Sequence, residues 1–466
     1  MRVLPCFLLP GLLAGCITVG PDYQPPAPAL PAQWHNAAAD TGALQLAQWW
    51  QQFADPTLDT LIASALASSP DLRTAEAKLR ESRARYDASG AARLPSVGTS
   101  ASARRSESAG TGAASDSYSA GFDASWEVDV FGGTRRSVEA AAATLAATEA
   151  SLDDARVSLV AEVARNYIEL RSLQIRLLIA RSNLASQMDT EQTTRWRYQA
   201  GLVSELDQAQ AASNLAQTRA RLPALESSLE ASRYKLAVLV GEPRERIVSL
   251  VGEAGAIPRG PTALAASIPA DTLRQRPDLR AAERRLAAQT ASIGVAEAAR
   301  YPAFKLSGNI GLSATQFAEL WRTDALAGSL LASISSTLFD GGRLRANVRA
   351  QEAVGEQVLI AYEKAVAQAV ADVETALAAL ARGGERLEQL QIATDTGRDA
   401  EAIARQRYAA GLIDFTAVLD AQRSLLSLED TLASAQAEQA SALVQLYKAL
   451  GGGWDATPTT GALRNE

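Results

Sequence analysis

The chain has 466 residues, 45 basic and 52 acidic side chains, and a formal net charge of −7. It lacks a basic cluster with interleaved aromatic residues, so the composition argues against nucleic acid as a partner. Only 5% of the residues are aromatic and His35 is the single histidine. These numbers argue against a thick globular core, and the sequence predicts no catalytic residue, no metal site and no cofactor apart from a lipid.

The N-terminus resembles a bacterial lipoprotein signal. Arg2 precedes an apolar run that is too short to span a bilayer and that ends in Leu13-Ala14-Gly15-Cys16. The resemblance predicts that residues 1–15 are a signal peptide and that Cys16 carries a covalent N-terminal lipid, which would hold the chain at a membrane. Cys6 would leave with the signal, so no disulfide would form in the mature chain. The alternative is an ordinary secretory signal with a chance cysteine.

Residues 16–55 are predicted to be an extended segment, and Asp55-Pro56 then supplies the N-cap and first residue of a helix. Ser69-Pro70 begins the next helix in the same way. No later run in the chain reaches the 18 apolar residues of a spanning helix. Strands are therefore the segments that this sequence predicts to cross a membrane.

The chain contains an internal duplication. Pro70-Asp71-Leu72-Arg73 recurs 207 residues later as Pro277-Asp278-Leu279-Arg280, and Arg197-Tyr198 through Gly201-Leu202 recurs as Arg407-Tyr408 through Gly411-Leu412. This predicts two equivalent halves, each with helices, a strand hairpin and a long helical hairpin. The predicted boundaries are 56–240 for the first half, 241–270 for a linker or equatorial region, 271–453 for the second half and 454–466 for a disordered tail.

Apolar and polar residues alternate from Ser117 to Val130, and again from Phe304 to Leu312. A period of two indicates strands, and their length suits strands that cross a membrane. The hairpins are predicted at about 95–130 and 302–339, with partner strands near 95–106 and 326–339. A half-buried soluble sheet is the alternative. In the first hairpin the predicted lipid-facing side chains are Tyr118, Phe122, Trp126 and Val128.

About 67 residues without proline follow the Gly132-Gly133 pair, with apolar residues at three, four and seven positions apart. The pattern predicts a supercoiled helix roughly 100 Å long. The second half repeats it from Gly341-Gly342 to Gly411. Gly383-Gly384 in the middle of this second helix predicts a local irregularity.

Several segments together resemble the TolC-like outer-membrane efflux factors, and more narrowly the OprM-like (NodT-type) lipoprotein branch of tripartite RND efflux systems. The resemblance rests on Val19-Gly20-Pro21-Asp22-Tyr23, Arg276-Pro277-Asp278-Leu279-Arg280, Phe339-Asp340-Gly341-Gly342 and Leu419-Asp420-Ala421-Gln422-Arg423. It implies a mixed α and β membrane protein: a homotrimer with a 12-stranded outer-membrane β-barrel, four strands per chain, that continues into a long periplasmic α-helical barrel. The need to close a barrel favours the same oligomer. Four strands cannot close one, and the interior of an eight-stranded barrel is filled by side chains, whereas the twelve strands of three chains leave a pore.

The same resemblance implies a periplasmic gate at Asp420 and Arg423, with Thr416 one turn earlier and with Asp207 and Gln210 as partners. Asp420 and Arg423 lie three residues apart, so the alternative is a solvated ion pair on one helical face. The turns at Gly201-Leu202 and Gly411-Leu412 are implied to dock a periplasmic adaptor protein. Helix termination by glycine is the alternative for these turns.

The implied function is passive. The chain would be a lipid-anchored outer-membrane duct that conducts drugs or other small toxic compounds once the adaptor opens its periplasmic end. An inner-membrane pump, proton-driven and of the RND type, would supply the energy. The alternatives are a duct for protein secretion, or a periplasmic scaffold lipoprotein without a pore.

Overall fold

The computed structural model describes residues 18–27, 31, 34, 46–107, 114–261 and 270–453. Within these ranges the chain forms eight α-helices and one four-stranded antiparallel sheet. None of the helices in them combines the length and the apolar character that crossing a membrane requires. The signal peptide predicted over 1–15, the lipid predicted on Cys16 and the tail predicted over 454–466 lie outside the described residues.

The element order confirms the internal duplication. The first half consists of α1 (Pro56–Ser68), α2 (Pro70–Ala91), β1 (Ser96–Glu107), β2 (Ala114–Val128), α3 (Gly133–Gln199) and α4 (Glu205–Val240). After α5 (Arg244–Val251), the second half consists of α6 (Pro277–Ala298), β3 (Ala303–Ala314), β4 (Leu326–Ser335), α7 (Arg343–Ala409) and α8 (Phe415–Ala449). The equivalent helices α2 and α6 both have 22 residues, and α3 and α7 both have 67. The region predicted as a linker thus contains a helix, α5.

The first helix begins where the sequence predicts. The Asp55 carboxylate accepts hydrogen bonds from the backbone N–H groups of Thr57, at 2.9 Å, and Leu58, at 3.2 Å. These bonds satisfy two of the N–H groups that lack a partner at a helix start, and Pro56 at the first helical position needs none.

The strands follow the order β1-β2-β3-β4, and every neighbouring pair is antiparallel. Directly opposite residues share a face of the sheet. Phe122 lies opposite both Thr99 and Ile310, and Ile310 lies opposite Gly328, so one row of side chains crosses all four strands. The alternation predicted for single strands therefore becomes one mainly apolar face and one mainly polar face of the sheet. At one end of the apolar face, Arg105 of β1 lies opposite Asp116 of β2.

The first compact unit comprises described residues from 1–28, 78–150 and 280–364, and it holds the sheet. Its N-terminal segment is fixed by Arg136, which is 4% exposed. The Arg136 guanidinium donates to the Val19 carbonyl at 3.2 Å and to the Asp22 carboxylate at 2.6 Å, and Val19 N–H donates to the Phe131 carbonyl at 3.2 Å. Charge-assisted bonds of this kind hold the segment firmly in place.

The second compact unit comprises described residues from 29–77, 151–279 and 365–466, and it contains the turns of both helical hairpins. Trp49 is fully buried and stacks on Tyr447 with ring centroids 5.1 Å apart. The Tyr167 hydroxyl donates to the Asp55 carboxylate at 2.7 Å. Burial, followed by this hydrogen bond, raises the pKa of Tyr167 to about 12.

The expected irregularity at Gly383-Gly384 is wrong, because α7 runs unbroken from Arg343 to Ala409. A side chain at position 383 would collide with the Gln439 amide of α8. Gln439 Nε2 donates to the Leu380 carbonyl at 3.2 Å. The glycine thus leaves room for the Gln439 side chain against the backbone of α7.

Candidate functional site

The apolar face of the sheet is the first candidate functional surface. Its strands have 12, 15, 12 and 10 residues, which is enough to cross a bilayer. Its large side chains are exposed, with Phe122 at 61%, Leu330 at 79% and Ile334 at 68%. A contiguous exposed apolar surface of this kind marks a site of contact with lipid or protein.

The four side chains predicted to face lipid all lie on this face, because they occupy even positions of β2. They are Tyr118, Phe122, Trp126 and Val128. Tyr118 contacts the Phe317 ring edge-on at 5.7 Å, and Trp126 Nε1 donates to the Arg93 carbonyl at 3.0 Å. Tyr118 and Trp126 therefore have partners within the chain, whereas Phe122 projects freely.

The opposite face of the sheet is polar and carries small side chains. Hydroxyl groups bond across β1 and β2 at Ser96 and Ser125, 2.9 Å, and at Ser102 and Ser119, 2.8 Å. Ser329 of β4 donates to Asn309 of β3 at 3.2 Å. Leu331 is an apolar exception, since it lies opposite Ser307 on this face. A surface of serine and glycine suits contact with water.

The turns of the two helical hairpins are the second candidate surface. We call residues 200–204 the first tip and residues 410–414 the second tip. Gly201 and Gly411 have φ values of +73° and +72°, in the left-handed region that favours glycine. Each tip closes with the same pair of backbone bonds, made by the glycine and the leucine after it to carbonyls three and five residues earlier. Both helices thus end in a Schellman motif.

The leucines of both tips are exposed. Leu202 is 74% exposed and Leu412 is 72% exposed. Helix termination explains the two glycines, but it does not require an apolar residue to face solvent. The adaptor-docking role predicted for Gly201, Leu202, Gly411 and Leu412 therefore stays a prediction that this exposure favours.

The first tip leads into a capping box at the start of α4. The Asp207 carboxylate accepts from the Ser204 backbone N–H at 3.0 Å, and Asp207 N–H donates to the Ser204 hydroxyl at 3.2 Å. Asp207 is thus occupied as a helix cap, and among the described residues it bonds neither Asp420 nor Arg423. Gln210, one turn later, has a buried Oε1 that finds no hydrogen-bond partner in the described ranges.

The predicted gate residues lie together on α8, just after the second tip. Thr416, Asp420 and Arg423 are all exposed, and spacings of four and three residues place them on one helical face. Within the described chain Asp420 has no hydrogen bond or ion pair, so the solvated Asp420–Arg423 pair does not form. Arg423 Nε instead donates to Asn214 Oδ1 of α4 at 2.9 Å.

Sequence reasoning missed two residues beside this face. Asn214, which bonds Arg423, lies one turn after Gln210 on the same side of α4, and that spacing is the signal that could have found it. The ring centroids of Tyr408 and Phe415 lie 5.4 Å apart. The Arg197 guanidinium lies 4.6 Å from the centroid of the Tyr408 ring. Arg197 and Tyr408 belong to different copies of the repeated Arg-Tyr pair, so the repeat itself pointed to them.

Comparison with known proteins shows that both halves are shared with one family. The model of the family described as "Outer membrane efflux protein" matches residues 61–242 and 268–452.

Among the described residues no group of three or more His, Cys, Asp or Glu side chains is placed to hold a metal ion.

Two curated relatives match nearly the whole chain. The pyoverdine export outer membrane protein OpmQ of Pseudomonas putida is 36% identical over 461 residues, covering 96% of this chain and 97% of OpmQ. Nodulation protein T of Rhizobium leguminosarum bv. viciae is 33% identical over 455 residues, covering 97% of this chain and 94% of that protein.

A solved structure, that of the outer-membrane channel OprN, has the same fold. Its TM-score is 0.86 at 37% identity, with 94% of this chain and 99% of that chain covered. The match confirms the predicted fold class, in which a four-stranded sheet joins long helices in each chain, and the predicted function as an outer-membrane channel. The chain therefore belongs to the outer membrane efflux protein family, in its OprM and NodT branch, and is an outer-membrane efflux channel.

Proposed function

We propose that three copies of the chain form the exit duct of a tripartite efflux pump. Their sheets would close one 12-stranded barrel in the outer membrane, and their long helices would continue as a helical barrel in the periplasm. The single observation that carries this proposal is a membrane-length sheet with an exposed apolar face and two unpaired edges.

The unpaired edges call for a partner. In the order β1-β2-β3-β4, the outer strands β1 and β4 each pair on one side only within the described residues. An unpaired backbone N–H or C=O group in lipid costs about 2 kcal/mol or more. A sheet edge without a partner strand is therefore not stable in a bilayer. Pairing β1 of one copy with β4 of the next removes every edge once the ring closes. Twelve strands leave a pore, and the serine-rich face would line it.

The gate is proposed at Thr416, Asp420 and Arg423. A three-fold axis close to this face of α8 would gather three copies of each side chain into rings. Three carboxylates near one axis repel one another unless arginines or cations neutralise them. The Arg423–Asn214 bond already ties α8 to α4, and Asp207 and Gln210 on α4 are the proposed further partners.

The tips are proposed to dock a periplasmic adaptor. Leu202 and Leu412 are exposed on tight, glycine-stabilised turns, so they offer a rigid apolar contact. The adaptor would connect the duct to an inner-membrane pump, proton-driven and of the RND type. Energy would come from that pump, and the duct itself would conduct without catalysis and without a cofactor.

The N-terminus is proposed to add a second membrane anchor. A lipid on Cys16 would lie three residues before Val19, which Arg136 holds against the sheet-bearing unit. Acyl chains at this point and the barrel would both hold the protein in the outer membrane.

The cargo is proposed to be small toxic molecules or drugs. OpmQ is described as a protein of pyoverdine export, which is a small-molecule cargo, and this favours a small-molecule duct over a duct for protein secretion. Drug susceptibility of a deletion strain, complemented with the wild-type gene, tests this part. A strain that keeps its drug resistance but loses secreted proteins would assign the duct to secretion.

Purified protein in planar bilayers tests the duct itself. We expect discrete conductance steps from a particle with three times the mass of one chain. The matched preparation carries Cys16→Ser, which removes the lipid but leaves the strands unchanged, and it should conduct equally. A Cys16→Ser protein that is released as a soluble monomer and does not conduct would identify the chain as a scaffold lipoprotein.

A further inference from the structure

A cavity of about 510 Å³ lies between α3, α4 and α8 in the second compact unit. Its volume falls in the range typical of small-molecule sites. Its walls combine arginines with small and branched apolar side chains, among them Ala180, Leu225 and Leu426. We call it the α3–α4–α8 cavity.

The charged groups of this cavity do not balance. Three arginines and one aspartate line it. The aspartate is already paired, because Arg176 binds both carboxylate oxygens of Asp430, at 2.7 and 3.1 Å. The bidentate geometry pairs the charge of that carboxylate with Arg176. The other two cations, Arg221 and Arg423, therefore face the cavity without an acidic partner among the described residues.

Two buried amides in the cavity wall are also incompletely bonded. Asn214 is 4% exposed, and Gln187 is 3% exposed. Arg423 only donates, so it fixes the orientation of the Asn214 amide with Oδ1 towards the guanidinium. Asn214 Nδ2 and Gln187 Oε1 then remain without a hydrogen-bond partner in the part of the chain that the structure describes. Buried polar atoms of this kind cost free energy unless a ligand or water satisfies them.

We propose that the α3–α4–α8 cavity binds a small organic carboxylate. The carboxylate would lie between Arg221 and Arg423 and accept a hydrogen bond from Asn214 Nδ2. The apolar body of the ligand would contact Leu225 and Leu426. Charge, hydrogen-bond donors and apolar walls thus each match one part of an organic anion.

The proposal is tested by isothermal titration of the purified full-length protein in an uncharged detergent, with benzoate as the probe. Benzamide is the neutral probe of the same shape, and inorganic phosphate is the anion without an apolar body. We expect benzoate to bind at least about 10-fold more tightly than benzamide, because a charge-assisted bond is lost in the amide. Phosphate should bind more weakly than benzoate.

Arg221→Gln is the test variant, and Arg219→Gln is its matched control. Both arginines are exposed on α4, but only Arg221 lines the cavity. Benzoate affinity should fall about 10-fold in Arg221→Gln and stay unchanged in Arg219→Gln. Helical circular dichroism of each variant verifies the fold.

Three results would overturn the proposal. The first is equal binding of benzoate and benzamide, or no benzoate binding at all. The second is equal weakening by the two arginine variants, which would reflect surface charge alone. The third is phosphate displacing benzoate at lower concentration, which would show a site for simple anions. The titration measures binding only, so none of these results bears on conduction through the duct.

Discussion

The two tips have the same backbone and different surroundings. Each ends its long helix in a Schellman motif with a left-handed glycine, and each exposes a leucine. After the first tip, Ser204 and Asp207 bond each other within one turn of α4. After the second tip, Phe415 is 3% exposed and packs with Ala211, Leu419 and Tyr408, so that side chains of α4, α7 and α8 meet.

This difference shows how a duplicated backbone acquires unequal parts. The first tip is stabilised by local hydrogen bonds that need no other helix. The second tip depends on contacts with other helices, including the Arg423–Asn214 bond and the Arg197 guanidinium beside Tyr408. A contact between helices responds when those helices move, whereas a local cap does not. The predicted gate residues accordingly lie beside the second tip.

Removing the Phe415 ring should give the largest effect on stability. Phe415→Ala deletes a buried ring, which costs about 3 to 5 kcal/mol, and the loss should appear as faster amide exchange near the start of α8. Leu206→Ala at the first tip is the control. Leu206 is 65% exposed, so its variant should change exchange by about 0.5 kcal/mol or less. Equal effects at the two tips would contradict the comparison.

Neutralising Asp420 should change conduction more than stability. Asp420→Ala removes the carboxylate ring of the proposed gate, so the trimer should conduct more in planar bilayers. Asp399→Ala removes another exposed acid, on α7, and should leave conductance unchanged. If Asp420→Ala conducts like the wild type, the gate lies elsewhere on the helices.

The helix caps after the two tips should differ about threefold or more in strength. Ser204→Ala breaks the capping box and should destabilise the first turn of α4 by about 1 kcal/mol. Asp414 is the N-cap of α8 but makes no side-chain cap bond, so Asp414→Ala should cost only about 0.3 kcal/mol. Site-resolved amide exchange measures both. A cost for Asp414→Ala as large as that for Ser204→Ala would show a cap bond at the second tip as well.

The smallest effect concerns Glu230 of α4 and two arginines, Arg233 of α4 and Arg244 of α5. Arg244 and Arg233 bond Glu230 and hold the pKa of its carboxyl below its ordinary value of 4.5, with Arg244 as the larger cause. Because the folded pKa is depressed, the stabilisation is present above the unfolded pKa and is lost as the pH falls through the folded one. Glu230→Gln should therefore loosen the end of α4 slightly at pH 7.

Amide exchange at the end of α4, compared at pH 7 and at a pH low enough to protonate Glu230, measures that difference. The wild type and Glu230→Gln should converge at the lower pH. The equivalent position of the second half is Ala440, so α8 serves as the internal control. A difference between the two proteins that persists once Glu230 is protonated would mean that the pair acts through packing and not through charge.

Much of the fold was predictable because its signals are local or repeated. Alternation placed the strands, glycine pairs placed the helix starts, and Asp55-Pro56 placed the first helix. The repeat predicted two equal halves, and α3 and α7 have equal length. These features depend on residues close together in the chain, so a single sequence contains the information.

The Gly383-Gly384 prediction failed because it treated glycine by its propensity alone. The close approach of Gln439 is a contact between helices, and nothing in the neighbouring sequence reports it. Asn214 and Tyr408 were missed for the same reason. Their partners Arg423 and Arg197 lie 209 and 211 residues away in the chain.

The amino-acid sequence by itself determined the periodicities, the duplication and the turns, since each follows from steric and hydrophobic preferences within a few residues. Only the tertiary structure decided which side chains of the two halves meet. It aligned the strand faces into one apolar surface, joined Arg423 to Asn214 and left the Asp420 side chain without a bond in the described chain. Such pairings depend on the register between helices and strands that are far apart in the chain, and local preference does not specify that register.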